Sequence, residues 1–242
     1  KFYYHLYFNA FQPNSMMDVR SRTIIDPDRR VGDRIYQLSD EEIGYHKINT
    51  LTQNGAAVQW KIEDTILEVQ LAKPIAPGEK ATFDLTFDSQ VPLQIRRSGR
   101  DNSEGIDFSM SQWYPKAAEY DDHGWQVHPY IGREFYPVWG RFDIKITLDA
   151  DYTIGATGTL QNAEEIGHGY VSEDQQGAAT ASDKLTWHFI AEDVHDFAWG
   201  ADENYRHEMQ PIDENRMLHL YYVEGARTQN WKRLAGYTIQ AI

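Results

Sequence analysis

Hydrophobic and polar residues alternate along much of this chain. In ATFDLTFD, Phe83, Leu85 and Phe87 fall on one side and Thr82, Asp84 and Thr86 on the other, and Pro77-Gly78 supplies a turn just before it. RFDIKITL repeats the pattern, with Phe142, Ile144, Ile146 and Leu148 against Arg141, Asp143, Lys145 and Thr147. KLTWHFIA sets Leu185, Trp187 and Phe189 together, and LHLYYV, AVQWKIE and TILEVQL read as further strands. A period of two implies sheets with one dry and one wet face, the habit of antiparallel sheets. Turn signals at Asn54-Gly55, Pro74 to Gly78, Ser98 to Gly105 and Gly167 to Asp183 separate the runs.

Three segments lack the alternation. GHGYVSEDQQGAATASD, at 167–183, is expected to be a mobile hairpin excursion, and NSMMDVRSRTIIDPDRRVGD an irregular loop over a sheet edge. Only ARTQNWKRLAGYTIQAI is expected to be helical, with Trp231, Leu234, Thr238 and Ile242 on one face. No cap follows Ile242 and KFYYHLYFNAF opens inside a strand, so both ends are expected to be cut from something longer. The fold expected is all-β: an antiparallel sandwich or saddle over residues 1–225, its first strands missing, with a helix beginning in 226–242.

Composition narrows the function. The 242 residues suffice for one large domain or two small ones with a sizeable core. A formal net charge of -14 repels phosphate backbones, which argues against nucleic acid as a partner. No cysteine is present, which removes disulfides, Cys-ligated zinc and thiol catalysis. No apolar run approaches the roughly 20 residues of a membrane span. Fifteen Tyr are compatible with a Tyr-rich β core or with a surface that contacts sugars or peptides.

Candidate chemistry concentrates in QWYPKAAEYDDHGWQVHPY, residues 112–130. Asp121, Asp122, His123 and His128 could hold a cation, but their spacing matches no metal motif and reads more simply as a solvated acidic loop. His207-Glu208 opens HEMQP, a near miss for H-E-x-x-H, because Pro211 stands where the second histidine is needed. GATGTL, from Gly155, is a weak phosphate-loop candidate that leads into no helix.

Five segments in order carry more information than any of these. Gln112 to Pro115, Glu134 to Tyr136, Gly140 to Ile146, Tyr152 to Leu160 and Trp187 to Trp199 resemble the N-terminal domain of the aminopeptidase N family of zinc metallopeptidases, in its bacterial branch. The resemblance implies a β-saddle that covers the substrate cleft of a thermolysin-like catalytic domain. The parent enzyme would remove N-terminal residues from peptides, using zinc held by H-E-x-x-H and a distant Glu, with G-x-M-E-N binding the substrate amine. This chain contains neither motif. Alone it is therefore expected to be inactive and to bind no zinc, its partners being the catalytic domain and a peptide. The domain's expected contribution is one Gln or Glu at the amine site. Gln112 is favoured, Glu104 stands at the family's longer spacing, and Tyr114, with Trp113 and Ser109, would line the same edge. A sugar- or protein-binding sandwich and a non-catalytic scaffold remain alternatives. Localisation stays open, with periplasm or cell envelope favoured over cytoplasm.

Overall fold

The computed structural model describes residues 1–25, 28–133, 138–167, 170 and 182–242. The expected excursion at 167–183 and the matched segment at 134–136 therefore fall largely or wholly outside the described residues. Every strand pair whose register is described is antiparallel, and one isolated bridge, Leu93 to Arg100, is parallel. The all-β expectation holds. Two compact units are present: Lys1–Asn102 with Ser109–Trp139, and Ser103–Phe108 with Gly140–Ile242.

In the first unit β1 (Phe2–His5) leads into a 3-10 turn (Tyr7–Ala10) and α1 (Met16–Thr23). There follow β2 (Tyr45–Gln53), β3 (Ala56–Ala57), β4 (Gln59–Glu63), β5 (Ile66–Gln70), β6 (Phe83–Gln90) and β7 (Gly99–Arg100). β8 (Phe108–Met110) straddles the division, and β9 (Lys116–Ala117), β10 (Tyr120–Asp121) and β11 (Gly124–Trp125) complete the unit. A sheet of order β4-β5-β1-β9 faces a sheet of order β3-β2-β6. Between them Tyr4, Leu6, Ile48, Leu51, Val58, Leu67 and Val69 are buried, with Phe83, Leu85 and Phe87 packed against the cluster. The alternation of β6 thus does what the pattern predicts.

Two expectations for this unit fail. The segment read as a loop contains α1. Ser15 caps it by accepting from Asp18 N–H at 3.1 Å, and the buried Asp18 carboxylate takes two bonds from Arg22 one turn on, at 3.0 and 2.9 Å. S-x-x-D followed by an i,i+4 Arg is a start signal that the charge density concealed. The opening run, in turn, remains a strand only to His5. Tyr7, Phe8, Ala10 and Phe11 are all buried around a 3-10 turn, which a strand with alternating faces could not achieve.

The second unit contains β12 (Gly140–Asp149), β13 (Thr153–Ala156), β14 (Thr159–Leu160), α2 (Ala163–Ile166), β15 (Lys184–Val194), β16 (Trp199–Asp202), β17 (Tyr205–Pro211), β18 (Met217–Val223) and α3 (Trp231–Ala241). The register of β12 on β15 sets Ile146 opposite Trp187 and Ile144 opposite Phe189, and Trp187 is wholly buried. GATGTL is split between β13 and β14, and the next described helix after it is the single turn of α2. Gly158 stands there for packing: its φ is +87°, and a Cβ would lie 2.3 Å from the Ile190 carbonyl oxygen. Residues 226–230 are turns, so the helix begins at Trp231. On it Ala235 is buried, whereas Trp231, Leu234 and Ile242 of the expected apolar stripe are exposed. No helix among the described residues is long and apolar enough to cross a membrane, which leaves β-barrel spans unaddressed.

Candidate functional site

The crowded segment 112–130 belongs to the first unit, and most of its side chains serve packing there. Trp125 lies between rings of β1 and β10, with centroids 5.0 Å from Phe2, 5.4 Å from Tyr3 and 5.2 Å from Tyr120. Tyr130 is wholly buried, edge-on to Tyr7 at 4.7 Å, and its N–H donates to Thr65 Oγ1 at 2.8 Å. Pro115 and Lys116 are also buried, and Lys116 joins β9 to His5 of β1. His5 Nε2 bonds the Gln126 carbonyl oxygen at 3.1 Å, so this nitrogen carries the proton. Burial pushes the His5 pKa down to about 4, and the ring is neutral at neutral pH.

The acidic part is a turn. Asp121 Oδ1 accepts from His123 N–H at 2.8 Å and from Gln126 Nε2 at 3.0 Å, closing the β10–β11 hairpin. His123 Nδ1 lies 3.0 Å from Asp122 Oδ1, and both side chains are almost fully exposed. Asp121, Asp122 and His123 present donor atoms within 4.8 Å of one another, and His128 is not among them. Two carboxylates and one imidazole on an exposed turn differ from the three-ligand pocket that a catalytic zinc requires. That exposed turn does not fit the zinc of the resembled family, whose H-E-x-x-H ligands this sequence lacks.

Gln112 is different in kind from its neighbours. Its side chain is buried, with 8% of the residue exposed, and its φ is +55°. Six non-glycine residues among those described have positive φ, and the other five are Asn or Asp, which enter the left-handed region readily. Gln lacks that ease, so this backbone is held against a cost of about 1 kcal/mol or more. Next to it the buried Ser98 hydroxyl accepts from Ser111 N–H at 2.6 Å and donates to the Ser111 carbonyl oxygen. Trp113 and Tyr114 meet edge to face at 5.3 Å, both half-buried, and Lys116 Nζ stands 5.9 Å from the Tyr114 ring centre. Ser109 is half-buried on β8. Glu104 belongs to the second unit, where its exposed carboxylate accepts from Arg227 at 2.8 Å.

His207 and Glu208 lie on β17, not on a helix, and as strand neighbours they point to opposite faces. Glu208 accepts from the Tyr222 hydroxyl at 2.6 Å, whereas His207 meets His219 of β18, with Nε2 and Nδ1 2.9 Å apart. Reading along the chain misses this pair, because antiparallel register creates it across twelve residues.

No family model matches the sequence, and no curated protein matches it. Solved structures do match. A mutant M1 zinc metallopeptidase from Deinococcus radiodurans, bound to a Tyr-Ser-Ala substrate, is 18% identical with a TM-score of 0.46. A two-domain M1 zinc metallopeptidase mutant bound to L-arginine is 16% identical with a TM-score of 0.44, and an M1 zinc metallopeptidase from Deinococcus radiodurans is 14% identical with a TM-score of 0.42. Each match covers 74% of this chain and 38% of the other. The chain thus spans less than half the length of the solved structures it matches.

Proposed function

We propose that this chain is the substrate-covering β domain of an aminopeptidase N-like zinc peptidase and is catalytically silent by itself. The observation that supports it is the ordered run of family-like segments from Gln112 to Trp199, four of which lie on described residues. In this reading Gln112 contributes its side-chain oxygen to the free amine of the peptide, a contact that an amide acceptor can make with an ammonium. Its costly left-handed backbone favours the assignment, since such strain gathers where a side chain must be aimed. Tyr114 belongs to the same edge, whereas Glu104 is paired with Arg227 and is the weaker candidate.

The test is kinetic, on the complete gene product. It is expected to hydrolyse aminoacyl anilides and to lose activity to a chelator. Gln112→Ala is expected to raise KM by about tenfold, the scale of one lost hydrogen bond to a charged group, with kcat changed less. A complete product without aminopeptidase activity overturns the reading. An active product indifferent to Gln112→Ala overturns only the residue assignment.

A further inference from the structure

The β17–β18 hairpin carries a donor set that the peptidase reading leaves unused. Alternation puts Tyr205, His207, Met209 and Pro211 on one face of β17, and the register sets Val223, Tyr221, His219 and Met217 opposite them on β18. No charged residue of either strand shares that face, because Arg206, Glu208 and Glu224 occupy alternate positions.

His207 Nε2 and His219 Nδ1 are 2.9 Å apart, the ring centroids are 5.1 Å apart, and the ring planes differ by 19°. The centroid distance exceeds the nitrogen distance by only the two ring radii. The imidazoles therefore lie edge to edge, nearly coplanar, with these two nitrogens aimed at each other. Met209 stands directly across from His219, and Met209 and Met217 are 47% and 48% exposed.

We propose that this face binds a soft monovalent cation of the copper(I) class, held between His207 Nε2 and His219 Nδ1, with the Met209 thioether as third ligand. Thioether and imidazole together favour such an ion, and the lack of a carboxylate on that face of the two strands disfavours hard cations. With metal–nitrogen bonds of about 2.0 Å, a near-linear pair needs its nitrogens about 4 Å apart, so the rings must part by about 1 Å. The two sides of the pair are unequal in a way that permits this. His207 is stacked on Tyr221 at 4.2 Å and 10°, and Tyr221 is seated against Gly155, where a Cβ would lie 2.7 Å from the ring. His219 is exposed, which makes its ring the one to move. On binding, the proton between the rings moves to the other nitrogen of its own imidazole. Both ligands stay neutral, and no electron is transferred.

The proposal is independent of the peptidase reading and is tested on the 242-residue chain. Under anaerobic conditions, Cu(I) is titrated against a chromogenic bathocuproine chelator. One equivalent is expected to be withdrawn from the chelator, with loss of binding in His219→Gln and a weakening of about tenfold in Met209→Leu. His123→Gln is expected to bind as the parent does. Failure to compete, undiminished binding in His219→Gln, or equally tight Zn2+ binding at the pair overturns the assignment. Circular dichroism checks the fold of each variant. Should His219→Gln misfold, unchanged Cu(I) affinity in the exposed double variant Met209→Leu, Met217→Leu would equally defeat the proposal.

Discussion

The segment 112–130 and the β17–β18 hairpin make an instructive contrast. The first is dense with reactive residue types, yet its side chains are largely committed to one another: Asp121 closes a turn, Trp125 and Tyr130 fill space, and His5 is locked to the Gln126 carbonyl. The second carries, in HEMQP and MLHLYYV, only a failed zinc motif and an alternating strand, yet antiparallel pairing aims two imidazoles at each other beside two exposed thioethers. Crowding along the chain measures composition. Convergence across strands makes a ligand set, and only the register reveals it.

The contrast can be attacked at its strongest point first. If the crowded segment is mainly structural, Tyr130→Ala should cost about 3–5 kcal/mol, the price of emptying an aromatic site in a packed core, as read by urea unfolding. A cost below about 1 kcal/mol would mean that the segment is not a wall at all.

Acid offers the next test. Burial lowers the pKa of His5 to about 4 and of His46 to about 3, the latter ring lying flat on Phe8 at 4.7 Å. Both are neutral in the fold, whereas the unfolded chain takes up protons from about pH 6.5 downward. Stability from these two groups is therefore complete above that value and declines as pH falls towards 4 and then 3. At pH 5 each withdraws about 2 kcal/mol, and His5→Asn should flatten the pH dependence measured by thermal melts. An unchanged slope would remove His5 from the account.

A smaller effect isolates Gln112. Replacement by Asn, which enters the left-handed region easily, should leave stability within about 0.5 kcal/mol, whereas Val should cost on the order of 1–3 kcal/mol. Equal costs would mean that the backbone strain is not what distinguishes this position. The smallest change is expected on the hairpin: His219→Gln should alter stability by no more than about 0.5 kcal/mol, since the ring is exposed, even as cation binding is abolished.

Which features the sequence disclosed follows from the same physics. β6, β12, β15 and β18 hide one face more than the other, so their alternation is open to inspection. AVQWKIE is less regular than it reads: its strand breaks at Val58, which turns into the core and donates to the Leu51 carbonyl oxygen at 3.3 Å. β2 escaped notice because its buried residues, His46, Ile48, Leu51 and Gln53, change parity midway. α1 was hidden because its evidence lies in a cap and one ion pair, not in an apolar stripe. For the site, resemblance could nominate Gln112 but could not foresee its strained backbone. His219 carries no local signal, since its partner is chosen by strand pairing alone.

The parity change in β2 has a consequence for how the strand tolerates length variation. Between Ile48, opposite Phe87, and Thr50, opposite Thr86, Asn49 has no counterpart on β6. Remove Asn49 or Thr50, both exposed, and His46, Ile48, Leu51 and Gln53 fall into unbroken step on the same side. Remove a residue elsewhere in β2, and everything on one side of the cut is turned inside out. The strand thus carries one spare residue, and only at Asn49 or Thr50 should evolution or an engineer be able to shorten it without inverting a face.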